Sequence, residues 1–209
     1  MTALFVGASA CALAALLIAE HREVKWGRFA KMLASTGFIA VALASGAIDS
    51  AYGRFVLIAI GLSWLGDLLL TYPAPTAFLG GLFSFLLAHL GYMAAFVVRG
   101  VTLNAATVGA ATTVAGLMVW RWLRPHLDDG MRGPVAGYIV VISAMVAAAI
   151  GTIAQEADAR IVVGAIAFYL SDLAVARDRF VSRGFVNRAW GLPLYYLAQV
   201  LLAGSTASV

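Results

Sequence analysis

Charge is what this chain has least of. Lys, Arg, Asp and Glu together make up 11% of its 209 residues. A soluble domain carries about 25%. That is too little charge to coat a water-facing surface. It excludes a soluble enzyme, a disordered chain and a nucleic-acid reader, despite a pI near 9.5. Cysteine is nearly absent. The lone Cys11 excludes an internal disulfide and a Cys-based metal site. A Gly-rich phosphate loop, a Ser-nucleophile motif and a His/Cys cluster are missing too. Apolar residues are abundant, at 63%, with a mean hydropathy of +0.94. Such a chain buries its apolar surface in a bilayer, so we expect one integral membrane domain over residues 1–209 and no soluble domain.

A helix crossing the hydrocarbon needs about 20 mostly apolar residues. Eight such runs are legible, near Thr2–Ala19, Phe29–Ile48, Phe55–Tyr72, Ala77–Val98, Leu103–Trp122, Pro134–Ile153, Ile161–Ala176 and Ala189–Ala207. This predicts an all-α, polytopic eight-helix transmembrane bundle. The first run has no Lys or Arg before it and a charged cluster after it, so it reads as a retained span. Arg54, Arg99 and Arg160 fall on the side of the two termini. The other eleven of the fourteen Lys and Arg residues, including Lys25, Lys31, Arg132 and Arg177–Arg188, fall on the opposite side. The positive-inside rule then puts both termini outside a bacterial-type inner membrane. The Arg177–Arg188 charges read first as topology determinants that also touch anionic headgroups.

Two carboxylates lie within spans, Asp67 and Asp172. An Asp at mid-helix costs roughly 2.5–3.5 kcal/mol on insertion scales, so such a residue is a functional candidate by default. The alternatives are hydration near the interface or pairing with Lys31. The two acids are 105 residues apart and equivalent in the span order: Gly66-Asp67-Leu68-Leu69 is echoed by Ser171-Asp172-Leu173-Ala174. An even offset of four spans suggests a parallel four-plus-four repeat. Each acid is followed by a turn and a span with polar residues: His89 and Tyr92 in one copy, Tyr195, Tyr196 and Gln199 in the other. His89 lies about 18 Å into its span, near mid-membrane. Tyr92 shares its face, as Gln199 shares that of Tyr195. The tyrosines also suit an interfacial belt. Tyr138 suits belt or pocket, and Lys31 either snorkels outward or turns to an aspartate.

The ordered motifs resemble the YhhN-like family, bacterial relatives of lysoplasmalogenase. The likeness is carried by Gly66-Asp67-Leu68-Leu69-Leu70, Phe78–Tyr92 with His89, and Arg132-Gly133-Pro134-Val135 with Tyr138. It continues through Gly164–Asp172 and Leu192-Pro193-Leu194-Tyr195-Tyr196-Leu197-Ala198-Gln199. The sequence departs from the family pattern at Met32, where the residue after the basic position is usually Pro. The resemblance implies an eight-span enzyme that hydrolyses the vinyl-ether bond of lysoplasmalogens. The products are a fatty aldehyde and glycerophospho-ethanolamine or -choline. The implied partners are a lysophospholipid and membrane lipid, with no nucleic acid, no metal and no cofactor.

Vinyl-ether hydrolysis needs a carboxylic acid to protonate carbon and a second group to stabilise the oxocarbenium ion, a demand glycosidases meet with two carboxylates. Asp67 and Asp172 are the candidate pair, with their roles open. Lys31, His89, Tyr92, Tyr138, Tyr195, Tyr196 and Gln199 are the candidate substrate-positioning residues. The rival class is a small transporter or proton-coupled carrier, which also suits paired membrane acids in a repeat. A carrier needs a hydrated path reaching both sides, whereas the outer halves of these spans hold almost no ionisable residue.

Overall fold

The computed structural model describes residues 2–24, 26–102, 105–152 and 158–208. Among them are eight α-helices: α1 (Thr2–His21), α2 (Gly27–Ala44), α3 (Ala51–Leu70), α4 (Pro75–Arg99), α5 (Ala105–Leu123), α6 (Asp129–Gly151), α7 (Ala159–Ala176) and α8 (Phe185–Gly204). Each expected run falls on one helix. Lys25, the expected ends at Leu103 and Ile153, and the polar break at Gln155–Ala157 lie outside the described residues.

The protein is a polytopic membrane bundle. Among the described residues, six helices are long and apolar enough to cross a bilayer. The two that fall short are α5, which carries Thr107, Thr112, Thr113 and Arg121, and α8, which carries Asn187, Arg188 and Gln199. In α8 the polar residues Asn187 and Gln199 are buried inside the bundle, so its composition understates how apolar its outer face is.

Local chemistry sets the helix starts. Ser50 caps α3 by accepting from the Gly53 amide, and Asp128 caps α6 by accepting from Met131, satisfying amides that have no partner within the helix. Pro75 opens α4, where its missing amide costs nothing. Pro193 lies well inside α8 rather than in its first turn. There it removes one helical hydrogen bond, two residues before Tyr195.

The helices pack as hairpins, most extensively α3 with α4, α7 with α8 and α1 with α2. Small residues bring them close, as expected where lipid gives no hydrophobic drive to associate. A Cβ at Gly66 would stand 2.7 Å from the Phe85 ring, and one at Gly191 would stand 2.5 Å from the Ala174 Cβ. Neither position has room for a side chain. Between hairpins, α4 packs on α6 and α8 packs on α2, the same exchange displaced by four helices. The symmetry is broken by α1, which also packs on α8.

Beyond α7 the chain continues into a π-helical turn, Arg177–Val181. Phe180 and Val181 pack on a small second core of Leu123, Leu127, Val135 and Ile139. This ties the α5–α6 hairpin to the basic end of the bundle.

A two-carboxylate cavity at the basic end

Asp67 sits in the last turn of α3, only 2% exposed. Its Oδ1 is 3.2 Å from Lys31 Nζ of α2. Its Oδ2 accepts from Ser35 Oγ of α2 at 2.6 Å and from the Tyr195 hydroxyl of α8 at 2.7 Å. Both carboxylate oxygens are therefore occupied. Tyr196 closes the network from behind, 3.0 Å from Ser35 Oγ, and donates to the Lys31 carbonyl at 3.2 Å. Sequence reasoning missed Ser35. Its signal is its spacing: it lies four residues after Lys31 and so shares that residue's helix face.

Asp172, near the end of α7, is held differently. Its Oδ2 accepts from the Tyr138 hydroxyl of α6 at 2.7 Å and lies 3.2 Å from His89 Nε2 of α4. His89 Nε2 is also 2.9 Å from the Tyr138 oxygen. Tyr138 spends its single proton on Asp172, so the consistent tautomer carries a proton on Nε2. Nδ1 is then a buried nitrogen without a partner among the described residues. No described residue bonds Asp172 Oδ1. The Asp172 side chain is 18% exposed, against 3% for Asp67.

The two acids thus have related settings. Each draws on the second helix of its own half, α2 or α6, and on the last helix of the other half, α8 or α4. A phenol donates to each acid; the other partners differ, an ammonium and a serine hydroxyl at Asp67 and an imidazole at Asp172.

Both carboxylates line one cavity of about 660 Å³, within the usual range for ligand sites. Lys31, Tyr138 and Tyr195 also line it. His89 and Tyr196 stand behind that wall and act through Asp172 and Ser35. Tyr92 and Gln199 are sealed off together. Tyr92 donates to Gln199 Oε1 at 2.6 Å, both are fully buried, and the pair joins α4 to α8 away from the cavity.

The helical lining starts from the same end of every helix, the C-terminal end of α1, α3, α5 and α7 and the N-terminal end of α2, α4, α6 and α8, and reaches about half-way along the longest of them. At the mouth, Arg188 bonds Glu20 at 2.7 Å and lies 3.6 Å from Asp178. Asn187, only 1% exposed, donates to Asp178 at 3.0 Å and to the Ser182 carbonyl at 2.6 Å, and accepts from Arg177. The sequence placed Asn187 in a loop and gave no sign of this role. Arg179 lies over the Phe78 ring, 4.4 Å from its centre. Arg179 and Arg183 line the cavity without a carboxylate partner among the described residues.

A helical membrane bundle with two differently held carboxylates in a cavity entered from one end is the class this architecture defines. The sequence model of the YhhN family matches residues 26–206, and the chain belongs to that family. It is 37% identical over 180 residues to a lysoplasmalogenase of Mycobacterium bovis, covering 78% of this chain and 66% of that one. It is 34% identical over 146 residues to a lysoplasmalogenase of Mus musculus, covering 69% and 59%. A lysoplasmalogenase of Bos taurus is 26% identical over 154 residues, covering 71% and 63%. The matched part therefore spans less than two thirds of the length of each of these relatives, from 59% to 66%. No solved structure matches the chain.

Proposed function

We propose that this protein hydrolyses the vinyl-ether bond of a lysoplasmalogen-type lysophospholipid. One observation carries the reading: two carboxylates in unlike environments face the same cavity. The relatives' names point to the same substrate class.

The geometry favours one division of labour. Asp172 has an oxygen without a partner among the described residues and a side chain 18% exposed, which suits the proton donor. Asp67 has both oxygens occupied and a lysine beside it, which suits a fixed anion. In the first step the Asp172 carboxyl proton passes to the β-carbon of the vinyl ether, leaving an oxocarbenium ion and a carboxylate. The Asp67 charge faces the same cavity and stabilises that cation. Water then adds to the α-carbon and returns a proton to Asp172, giving a hemiacetal. The hemiacetal collapses to a fatty aldehyde and the free glycerol hydroxyl. Arg179 and Arg183 stand where they would meet the phosphate of the headgroup. His89 and Tyr138 hold the Asp172 carboxyl in place.

The one-ended cavity supports this reading over the carrier. Its lining residues stop about half-way along the helices, at Phe85, Ile142, Tyr169 and Tyr195.

Purified protein incubated with a lysoplasmalogen should release aldehyde, and should release none from the saturated alkyl-ether analogue, which has no carbon to protonate. Equal turnover of both, or of neither, would remove the vinyl-ether assignment. The positive-inside rule puts the mouth in the cytoplasm. Reporter fusions after Gly130 or Gly184 should therefore report cytoplasm, and a fusion at the C-terminus periplasm. A cytoplasmic C-terminus would reverse the side from which substrate enters.

A further inference from the structure

We infer that the Tyr169 ring is the end wall of the acyl-chain site and sets the chain length the protein accepts. The inference rests on the lysolipid reading above. The main cavity has a charged mouth and, beside Asp172, an apolar side of Val119 and Leu123 from α5 and Ile139 and Ile142 from α6. A vinyl ether lies at the head of its hydrocarbon chain, so with the reacting carbons at Asp172 this is the apolar side on which the chain would lie. Tyr169 stands three residues deeper on α7, about 4.5 Å along the helix.

Beyond it lies a second pocket of about 110 Å³, and Tyr169 borders both. On two helices the other walls of the second pocket step deeper: on α5 they are Thr112 and Ala115 rather than Val119, and on α6 Ser143 and Val146 rather than Ile142. On α7 Ile166 and Leu170 flank Tyr169. A step of four residues adds about 6 Å, the reach of a few methylene groups. The small pocket thus adjoins the apolar side of the cavity, with Tyr169 between them, and opens toward the outer face of the bundle, where Ile166 and Leu170 are exposed.

The Tyr169 hydroxyl is buried without a partner among the described residues. A buried hydroxyl normally finds a partner. This one bonds none of the described residues, so we assign the role to the bulk of the ring. Tyr169→Phe should therefore leave chain selectivity alone, and Tyr169→Ala should join the two pockets.

The test uses the full-length protein in amphipol and lysophosphatidylcholines of 12 to 18 carbons, which lack the vinyl ether and so report binding without turnover. Affinities are referred to the free aqueous lysolipid, so that each buried methylene leaves water. Wild-type affinity should rise with length and then level off. In Tyr169→Ala it should go on rising by roughly fourfold per added methylene for the next few. Tyr169→Phe should superimpose on wild type. Tyr169→Leu, which keeps more of the packing, should move the plateau by a smaller step and serves if the alanine variant does not fold. Profiles parallel to wild type in the alanine or the leucine variant would overturn the inference, as would a moved plateau in Tyr169→Phe or a wild-type affinity independent of length. Lysoplasmalogens are assayed in parallel. A moved plateau with no aldehyde from wild type would retire the hydrolase reading and leave the acyl wall standing.

Discussion

Asp172→Asn should lower aldehyde release by on the order of a hundredfold or more, the scale of general acid catalysis, with little change in melting temperature. The amide oxygen can still accept from Tyr138, which now donates to Asp172 Oδ2 at 2.7 Å. The amide nitrogen takes the place of Oδ1, for which the described residues supply no partner to lose. Packing and the hydrogen-bond network therefore survive, while the carboxyl proton that would go to carbon does not exist. Turnover assays and thermal melts on the same preparation separate the two effects. Ordinary aldehyde release from this variant would end the assignment of Asp172 as the acid.

Asp67→Asn should behave differently. By residue type alone, two nearly isosteric Asp-to-Asn changes are equally mild for folding. The tertiary contacts separate them. Asp67 neutralises Lys31, whose side chain is only 15% exposed. With asparagine there, one face of the amide still accepts from Ser35 and Tyr195, but its NH2 group confronts the lysine ammonium, donor against donor. Removing one partner of a buried pair costs on the order of 3 kcal/mol, because the other charge is left without compensation. A clear drop in melting temperature should therefore accompany the loss of turnover. Pairing the change with Lys31→Met removes the stranded charge and should recover much of the stability but none of the activity. If Asp67→Asn melts like wild type, the Lys31 contact holds nothing together. If the double variant recovers turnover, Asp67 is not the stabilising anion.

Much of this architecture is legible in the amino-acid sequence. Charge too sparse to coat a soluble surface and eight apolar runs separated by short polar breaks specify a helical membrane bundle, because only helices satisfy their own backbone within hydrocarbon. The two acids stand out because ionisable groups are expensive there. Their spacing of four spans points to equivalent places in the bundle, and helical periodicity correctly puts Tyr92 on the face of His89 and Gln199 on the face of Tyr195. Periodicity describes one helix at a time, however. It says which residues share a face, not which distant helix that face meets. That is decided by close packing of small residues between segments far apart in sequence, as where Gly66 meets Phe85 and Gly191 meets Ala174.

So only the tertiary structure turns Lys31 inward to Asp67 rather than outward to the interface, and gives Asp172 His89 and Tyr138 instead. It pairs Tyr92 with Gln199 out of reach of the cavity, although their helical spacing suits both to its wall. It brings Ser35 and Asn187 into the polar networks, residues whose type alone signals nothing. The sequence by itself determined the class of protein and the two acids. The fold determined which acid keeps an oxygen without a partner among the described residues, because that depends on contacts between helices that no single-helix pattern encodes.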